Sequence, residues 1–318
     1  MTTAASPDGS LPRPEASSPA GASPASPRGR FAPSPTGTLH VGNLRTALLA
    51  WLFARSQGAG FLVRMEDLDP GRVRSESATE QLEDLRAIGL DWDGEVLFQS
   101  QRHEAYDAAI ERLRSDGRVY ECFCTRAEIR AAASAPHGPL AEGAYPGTCL
   151  RLTDGERRRK RGGGRPPALR LRADAARIGF EDRLLGHHEA MVDDFVVRRN
   201  DGAAAYNLAV MVDDAAQRIG EVVRGADLLD STPRQLLVAR LLGLPEPSWA
   251  HVPLVLGRDG ARLAKRHGSV TLREVEPAAA VRWMARTLGF EDATSAAEML
   301  ERFDPARLPR EPTRFAGI

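Results

Sequence analysis

The stretch Arg30-Phe-Ala-Pro-Ser-Pro-Thr-Gly-Thr-Leu-His40-Val-Gly42-Asn43 constrains the fold of this chain more than any other. It reads as the end of a strand, a turn through Pro33, Pro35 and Gly37, and a helix opening at Gly42. Such a turn aims backbone N–H groups and the positive end of a helix dipole at whatever sits above the strand, which suits phosphate. Gly42 removes a side chain that would hold a nucleotide away, and His40 and Asn43 add side-chain donors. Taken alone, the stretch also fits a turn that only caps a helix.

The surrounding pattern extends the motif into a fold. A strand over 29–32 leads into a helix over 42–56, with Leu44, Ala47, Leu48, Trp51 and Leu52 apolar. Residues 61–65 read as a strand and 75–88 as a helix opened by a serine cap. The alternation returns at 194–198, 221–224, 235–242 and 252–256. An α/β chain with a Rossmann-type, doubly wound parallel sheet follows from this rhythm.

The division expected is a disordered Ala/Ser/Pro-rich extension at 1–27, two halves of a catalytic domain at 28–117 and 187–250, and an insertion at 118–186 between them. A basic loop and a short helical end fill 251–318. The insertion breaks the rhythm, holds all three cysteines and contains a Gly/Arg-rich run at 155–167.

Charge excludes a polycation, since 43 Lys and Arg balance 43 Asp and Glu. Nucleic-acid contact must then come from a local patch. One candidate lies between Arg151 and Arg172, where eight arginines and Lys160 face only Asp154 and Glu156; a solvated flexible loop is the plainer reading. No run approaches the roughly 20 apolar residues of a membrane helix, and residues 1–27 carry one arginine and no apolar block, unlike a signal peptide. Three cysteines argue against a disulfide framework and for a reducing, cytoplasmic setting.

A second element gives the opening motif its weight. Downstream, Gly257-Arg-Asp-Gly-Ala-Arg262-Leu-Ala-Lys265-Arg266-His-Gly268 is a glycine-rich, basic loop after an apolar strand. A mobile cationic loop facing a helix N-terminus is what the departure of pyrophosphate requires.

The first stretch resembles the HIGH motif, and the second the KMSKS loop, of class I aminoacyl-tRNA synthetases. The match is to the glutamyl group, through Arg30-Phe-Ala-Pro-Ser-Pro-Thr-Gly, Arg64-Met-Glu66-Asp-Leu-Asp, Tyr206-Asn-Leu-Ala and Val223-Arg224-Gly-Ala-Asp-Leu-Leu-Asp-Ser-Thr-Pro, over about residues 28–270. Two departures stand out: Asn43 replaces the second histidine of HIGH, and Arg262-Leu-Ala-Lys265-Arg266 keeps the charge of KMSKS but loses its serine hydroxyl.

The resemblance implies that Arg30 and Arg224 hold carboxylate oxygens of glutamate, Glu66 takes the ammonium, Tyr206 closes the wall, and Ala32 and Ser34 line the strand end. It assigns His40, Gly42, Asn43, Lys265 and Arg266 to ATP, with His40, Asn43 and Lys265 serving catalysis and Mg2+ accompanying the nucleotide. The acidic pairs Asp193-Asp194 and Asp213-Asp214 have no catalytic spacing and read as structural.

Cys122-x-Cys124 and Cys149 supply three thiols, and structural zinc takes four protein ligands. The residues themselves suggest His137 as the fourth ligand, or three unrelated buried cysteines. The spacing resembles the Cys-x-Cys…Tyr-x-x-x-Cys site of the glutamyl-queuosine tRNA(Asp) synthetases, which implies Tyr145 instead, and one structural Zn2+. Only residues 267–318 follow the basic loop, too few for a helical anticodon-binding region, and this also favours the glutamyl-queuosine subgroup. Its expected partners are ATP, L-glutamate and queuosine-bearing tRNA(Asp). The alternatives are a truncated glutamyl-tRNA synthetase and an inactive RNA-binding relic.

Overall fold

A computed structural model describes residues 27–125, 127–129, 144–264, 267 and 270–318. Expectations for the extension up to residue 26, for His137, and for Lys265 and Arg266 fall outside the described residues.

The first half of the chain runs β1 (Gly29–Phe31), α1 (Val41–Ser56), β2 (Phe61–Met65), α2 (Ser75–Ala87), β3 (Leu97–Phe98) and α3 (His103–Ser115). Next come β4 (Val119–Cys122), α4 (Asp154–Arg161), β5 (Ala168–Leu171), β6 (Arg177–Asp182), β7 (Gly186–Met191) and β8 (Phe195–Arg198). The second half holds α5 (Tyr206–Ala216), β9 (Glu221–Gly225), α6 (Thr232–Leu242), β10 (Ser248–Val252) and β11 (Val255–Leu256). The end carries α7 (Pro277–Thr287), α8 (Ala296–Glu301) and β12 (Thr313–Arg314).

Two parallel strand sets form the centre. In one the order is β1-β2-β3, and in the other β6-β10-β9 with β7 added antiparallel at the edge. A parallel bridge between Arg28 and Ile219, with Gly220 N–H donating to Arg28 O at 2.9 Å, links β1 to β9. Across the centre the strands therefore read β3-β2-β1-β9-β10-β6. Their order turns back between β1 and β9, the switch point where doubly wound sheets open a crevice.

Helices cover both faces. Helix α1 is apolar on nearly every side, because it lies between the sheet and the C-terminal helices that carry Trp283 and Met299. Gly29 permits the closest approach: a Cβ there would meet Ala54 Cβ at 2.9 Å. Buried Arg45 ties this layer together, donating to Thr287 Oγ1 and Pro253 O, both at 3.0 Å. The other face packs Tyr106 and Ile110 of α3 against Leu208 of α5 and Leu236 of α6.

Several local expectations change. The cap of α2 is Arg74, which makes no side-chain cap bond, so Ser75 lies inside the helix. The 252–256 strand is two strands separated by Pro253, which has no N–H for a ladder. The basic run is helical as α4, because Thr153 and Glu156 form a reciprocal capping box at its start. The cysteine-bearing segment supplies two strands of the antiparallel sheet β4-β5-β8, and β6 joins the parallel centre beside β10.

Candidate active site

A cavity of about 580 Å³ opens at the switch point, over the C-terminal ends of β1 and β9 and beside the first turn of α1. Its wall includes Arg30, Ala32 and Ser34 from β1 and the turn, Glu66 after β2, Tyr206 at the start of α5, and Arg224 of β9. His40, Gly42 and Asn43 line the side formed by α1. Every described residue that the sequence associated with glutamate or ATP thus faces one space.

The helix end is built locally. His40 Nδ1 accepts the Asn43 N–H at 3.1 Å, and Asn43 Oδ1 accepts the His40 N–H at 3.3 Å. An accepting Nδ1 in a neutral ring leaves the proton on Nε2. Gly42 has a further reason to be glycine, for a Cβ there would meet the His40 ring at 3.0 Å and Val255 Cβ at 3.3 Å. The turn is held from below by Gln81, whose side-chain amide donates to Ser34 O at 3.1 Å and Gly37 O at 2.6 Å.

The floor is ionic and buried. Arg30 Nε donates to Asp214 Oδ1 at 3.3 Å, and Arg64 NH1 donates to the same oxygen at 2.7 Å. Asp213, one residue earlier, accepts from Gln99, Arg102 and the Tyr106 hydroxyl. Burial pushes the Glu66 carboxyl up against the pull of Arg64 and Arg30. Burial likewise works against ionisation of Asp214, but Arg64 and Arg30 hold it below the usual carboxylate range.

The sequence reads Asp213 and Asp214 as structural; both are buried in ion pairs, and Asp214 touches the cavity's Arg30 directly, a contact that sequence reasoning missed. A signal was present: Asp214 lies eight residues after Tyr206, two turns along the same face of α5. At the mouth, Arg262 forms an ion pair with Asp227, so the described part of the basic loop is tied to the segment after β9.

The cysteines form a separate cluster. Cys122, Cys124 and Cys149 place their sulfurs within 4.8 Å of one another, a group able to hold a metal ion. Tetrahedral zinc with Zn–S bonds of ~2.3 Å separates its sulfurs by about 3.8 Å, so the donor set fits. Tyr145 Oη lies 3.6 Å from Cys122 Sγ and 3.7 Å from Cys124 Sγ, while the Arg170 guanidinium sits 3.7 Å from the tyrosine ring centre. Burial pushes the Cys124 thiol up to about 12. Asp193 accepts the Tyr145 N–H at 2.9 Å and pairs with Arg234 of α6, fastening the cluster to the core.

A parallel α/β centre with a cationic, carboxylate-lined cavity at a helix N-terminus defines a nucleotide-using catalytic domain. The family described as tRNA synthetases class I (E and Q), catalytic domain, matches residues 27–295, and the chain belongs to it. Within that family the chain is 59% identical to the glutamyl-Q tRNA(Asp) synthetase of Nocardia farcinica, over 89% of this chain and 91% of that protein. It is 48% identical to the protein of that name from Symbiobacterium thermophilum, over 90% and 95% of the two chains. Among solved structures it resembles a glutamate tRNA ligase of Elizabethkingia meningosepticum in complex with its amino acid, with a TM-score of 0.78 at 28% identity, covering 91% of this chain and 67% of that one. No helix among the described residues is long and apolar enough to cross a membrane.

Proposed function

We propose that this chain activates L-glutamate with ATP, without RNA for that step, and transfers the glutamate to the cyclopentene-diol of queuosine at the wobble position of tRNA(Asp). The observation that carries this reading is the single cavity in which Arg30, Arg224 and Glu66 face the N-terminus of α1. Glutamate brings two carboxylates and one ammonium, and two arginines with one carboxylate complement that set. The names of the relatives supply the choice of tRNA(Asp).

In the first step the α-carboxylate of glutamate attacks the α-phosphate, pyrophosphate leaves, and glutamyl-AMP forms. In the second a diol hydroxyl attacks the acyl carbon and AMP leaves. No protein nucleophile is needed, because the adenylate is already activated. His40 Nε2–H and the Gly42 N–H at the start of α1 serve developing phosphate charge, Tyr206 closes the amino-acid side, and Lys265 and Arg266 are assigned to the departing pyrophosphate. Mg2+ belongs with the nucleotide. Cys122, Cys124, Cys149 and Tyr145 are assigned to one structural Zn2+. A tRNA substrate and three free thiols fit a cytoplasmic protein.

The test is transfer of labelled glutamate to tRNA(Asp) with and without queuosine, beside glutamate-dependent ATP–pyrophosphate exchange in the absence of RNA. Label on queuosine-bearing tRNA alone supports the reading. Label on the terminal ribose, or exchange that needs tRNA, would reassign the chain as a short glutamyl-tRNA synthetase.

A further inference from the structure

Arg224 is held entirely by neutral acceptors. Its Nε donates to His251 Nε2 at 3.0 Å, and NH1 donates to Gln235 Oε1 at 2.8 Å and Tyr206 Oη at 3.4 Å. NH2 donates to Thr232 Oγ1 at 2.8 Å and Leu228 O at 3.2 Å. The guanidinium also lies 4.7 Å from the Trp249 ring centre. No carboxylate is among these contacts, whereas Arg30 and Arg64 share Asp214. Arginine stays charged at any working pH, so Arg224 enters the cavity oriented but in direct contact with no carboxylate, feeling Asp214 and Glu66 only across space.

The nearest carboxylate along this network is one ring away. His251 is fully buried, and its Nδ1 lies 2.6 Å from Asp182 Oδ2. Asp182 is itself fixed, with Oδ1 accepting the N–H groups of Leu184 and Leu185 at 3.0 Å each. Sheet register sets the row: His251 and Arg224 are direct partners across β10 and β9, and β6 brings Asp182 to the other side of β10. Because Arg224 Nε always donates, His251 Nε2 must present a lone pair, and the ring proton must sit on Nδ1, facing Asp182.

We infer that Asp182 and His251 form a positioning relay that orients Arg224 for a substrate carboxylate without neutralising it. A carboxylate placed directly on Arg224 would hold the side chain equally well but cancel the charge the substrate is to meet. An interposed neutral imidazole supplies the acceptor alone. The inference rests on the glutamate-site reading above, and it assigns specificity-supporting roles to two residues that touch no substrate.

The experiment uses glutamate-dependent ATP–pyrophosphate exchange, with KM measured separately for glutamate and ATP. In Asp182→Asn the amide oxygen can keep the backbone contacts, while the amide nitrogen faces Nδ1 and drives the ring proton to Nε2, setting donor against donor at Arg224. Glutamate KM should rise about tenfold or more, the effect of losing one hydrogen bond to a charged group, with ATP KM within about twofold. Histidine variants give an independent arm. His251→Gln can return an acceptor to the Nε2 position and should keep glutamate KM within about threefold, whereas His251→Asn cannot reach and should behave like Asp182→Asn. In the His251→Gln background, Asp182→Asn should add little. Equal losses in the two histidine variants, an unchanged glutamate KM in Asp182→Asn, or parallel rises in both KM values would overturn the relay. Wild-type protein lacking glutamate-dependent exchange would instead overturn the glutamate reading itself.

Discussion

Arg30 and Asp214 lie 184 positions apart in the chain and meet at 3.3 Å in the cavity floor, both buried, with Arg64 on the same carboxylate at 2.7 Å. One anion thus serves two buried cations. Removing its charge should leave Arg30 without its ion-pair partner and Arg64 with only Glu66 and Asp213, so Asp214→Asn is expected to cost about 3 kcal/mol of folding stability. Urea unfolding checks this; a loss below about 1 kcal/mol would mean that water or a rearranged partner replaces the anion.

The pH behaviour follows from His251. Burial pulls its imidazole below the ordinary value of 6.5 and Asp182 opposes this, while Arg224 and His188 add to the lowering. The folded ring is therefore neutral in a window where the unfolded ring takes a proton. Its contribution to stability is complete above about pH 6.5 and is lost as pH falls through the lower, folded value. Glutamate KM should rise only as pH falls through that lower, folded value, and His251→Gln should flatten both trends. Identical pH profiles of stability and glutamate KM in wild type and His251→Gln would contradict this.

For the cysteine cluster, metal analysis of reduced protein should find about one zinc per chain. Tyr145→Phe removes the oxygen placed between Cys122 and Cys124 and should weaken retention against a competing chelator by at least about tenfold. Unaltered retention in Tyr145→Phe would turn attention to His137 as the fourth donor.

Helix α4 offers a graded test of RNA contact. Arg161 pairs with Glu121, and Arg157 donates to the carbonyls of Leu150 and Leu152, so these two are occupied. Arg158, Arg159 and Lys160 are bonded through their backbones, but their side chains make no hydrogen bond or ion pair among the described residues. Neutralising those three should leave exchange without RNA unchanged, weaken tRNA binding, and flatten its salt dependence by about 0.9 slope units per lost contact. An unaltered salt slope would show that the helix only faces solvent.

The sequence revealed what is local along the chain. His40, Gly42 and Asn43 lie within one turn, so spacing gathers them, while Arg30, Ala32 and Ser34 were placed beside them through the family resemblance of their segment. Glu66, Tyr206 and Arg224 were reachable because each sits inside a recognisable segment. Asp182 and His251 were not, since their 2.6 Å contact spans 69 positions and depends on the register of β6 against β10. Helix α4 shows the opposite failure: the Thr153-x-x-Glu156 signature was present, but the glycines and like charges around it suggested a loop.

The neutral surroundings of Arg224 also bear on how stable this protein can become. Burial lowers the affinity of that guanidinium for its proton, although Asp214 and Glu66 act against the lowering across space. Replacing buried ionic groups by apolar side chains of similar volume is often neutral or stabilising. Arg224→Met should therefore melt no lower than the wild-type protein while failing to activate glutamate. Selection for a more heat-resistant fold would act against this position, and only selection for catalysis keeps an arginine there.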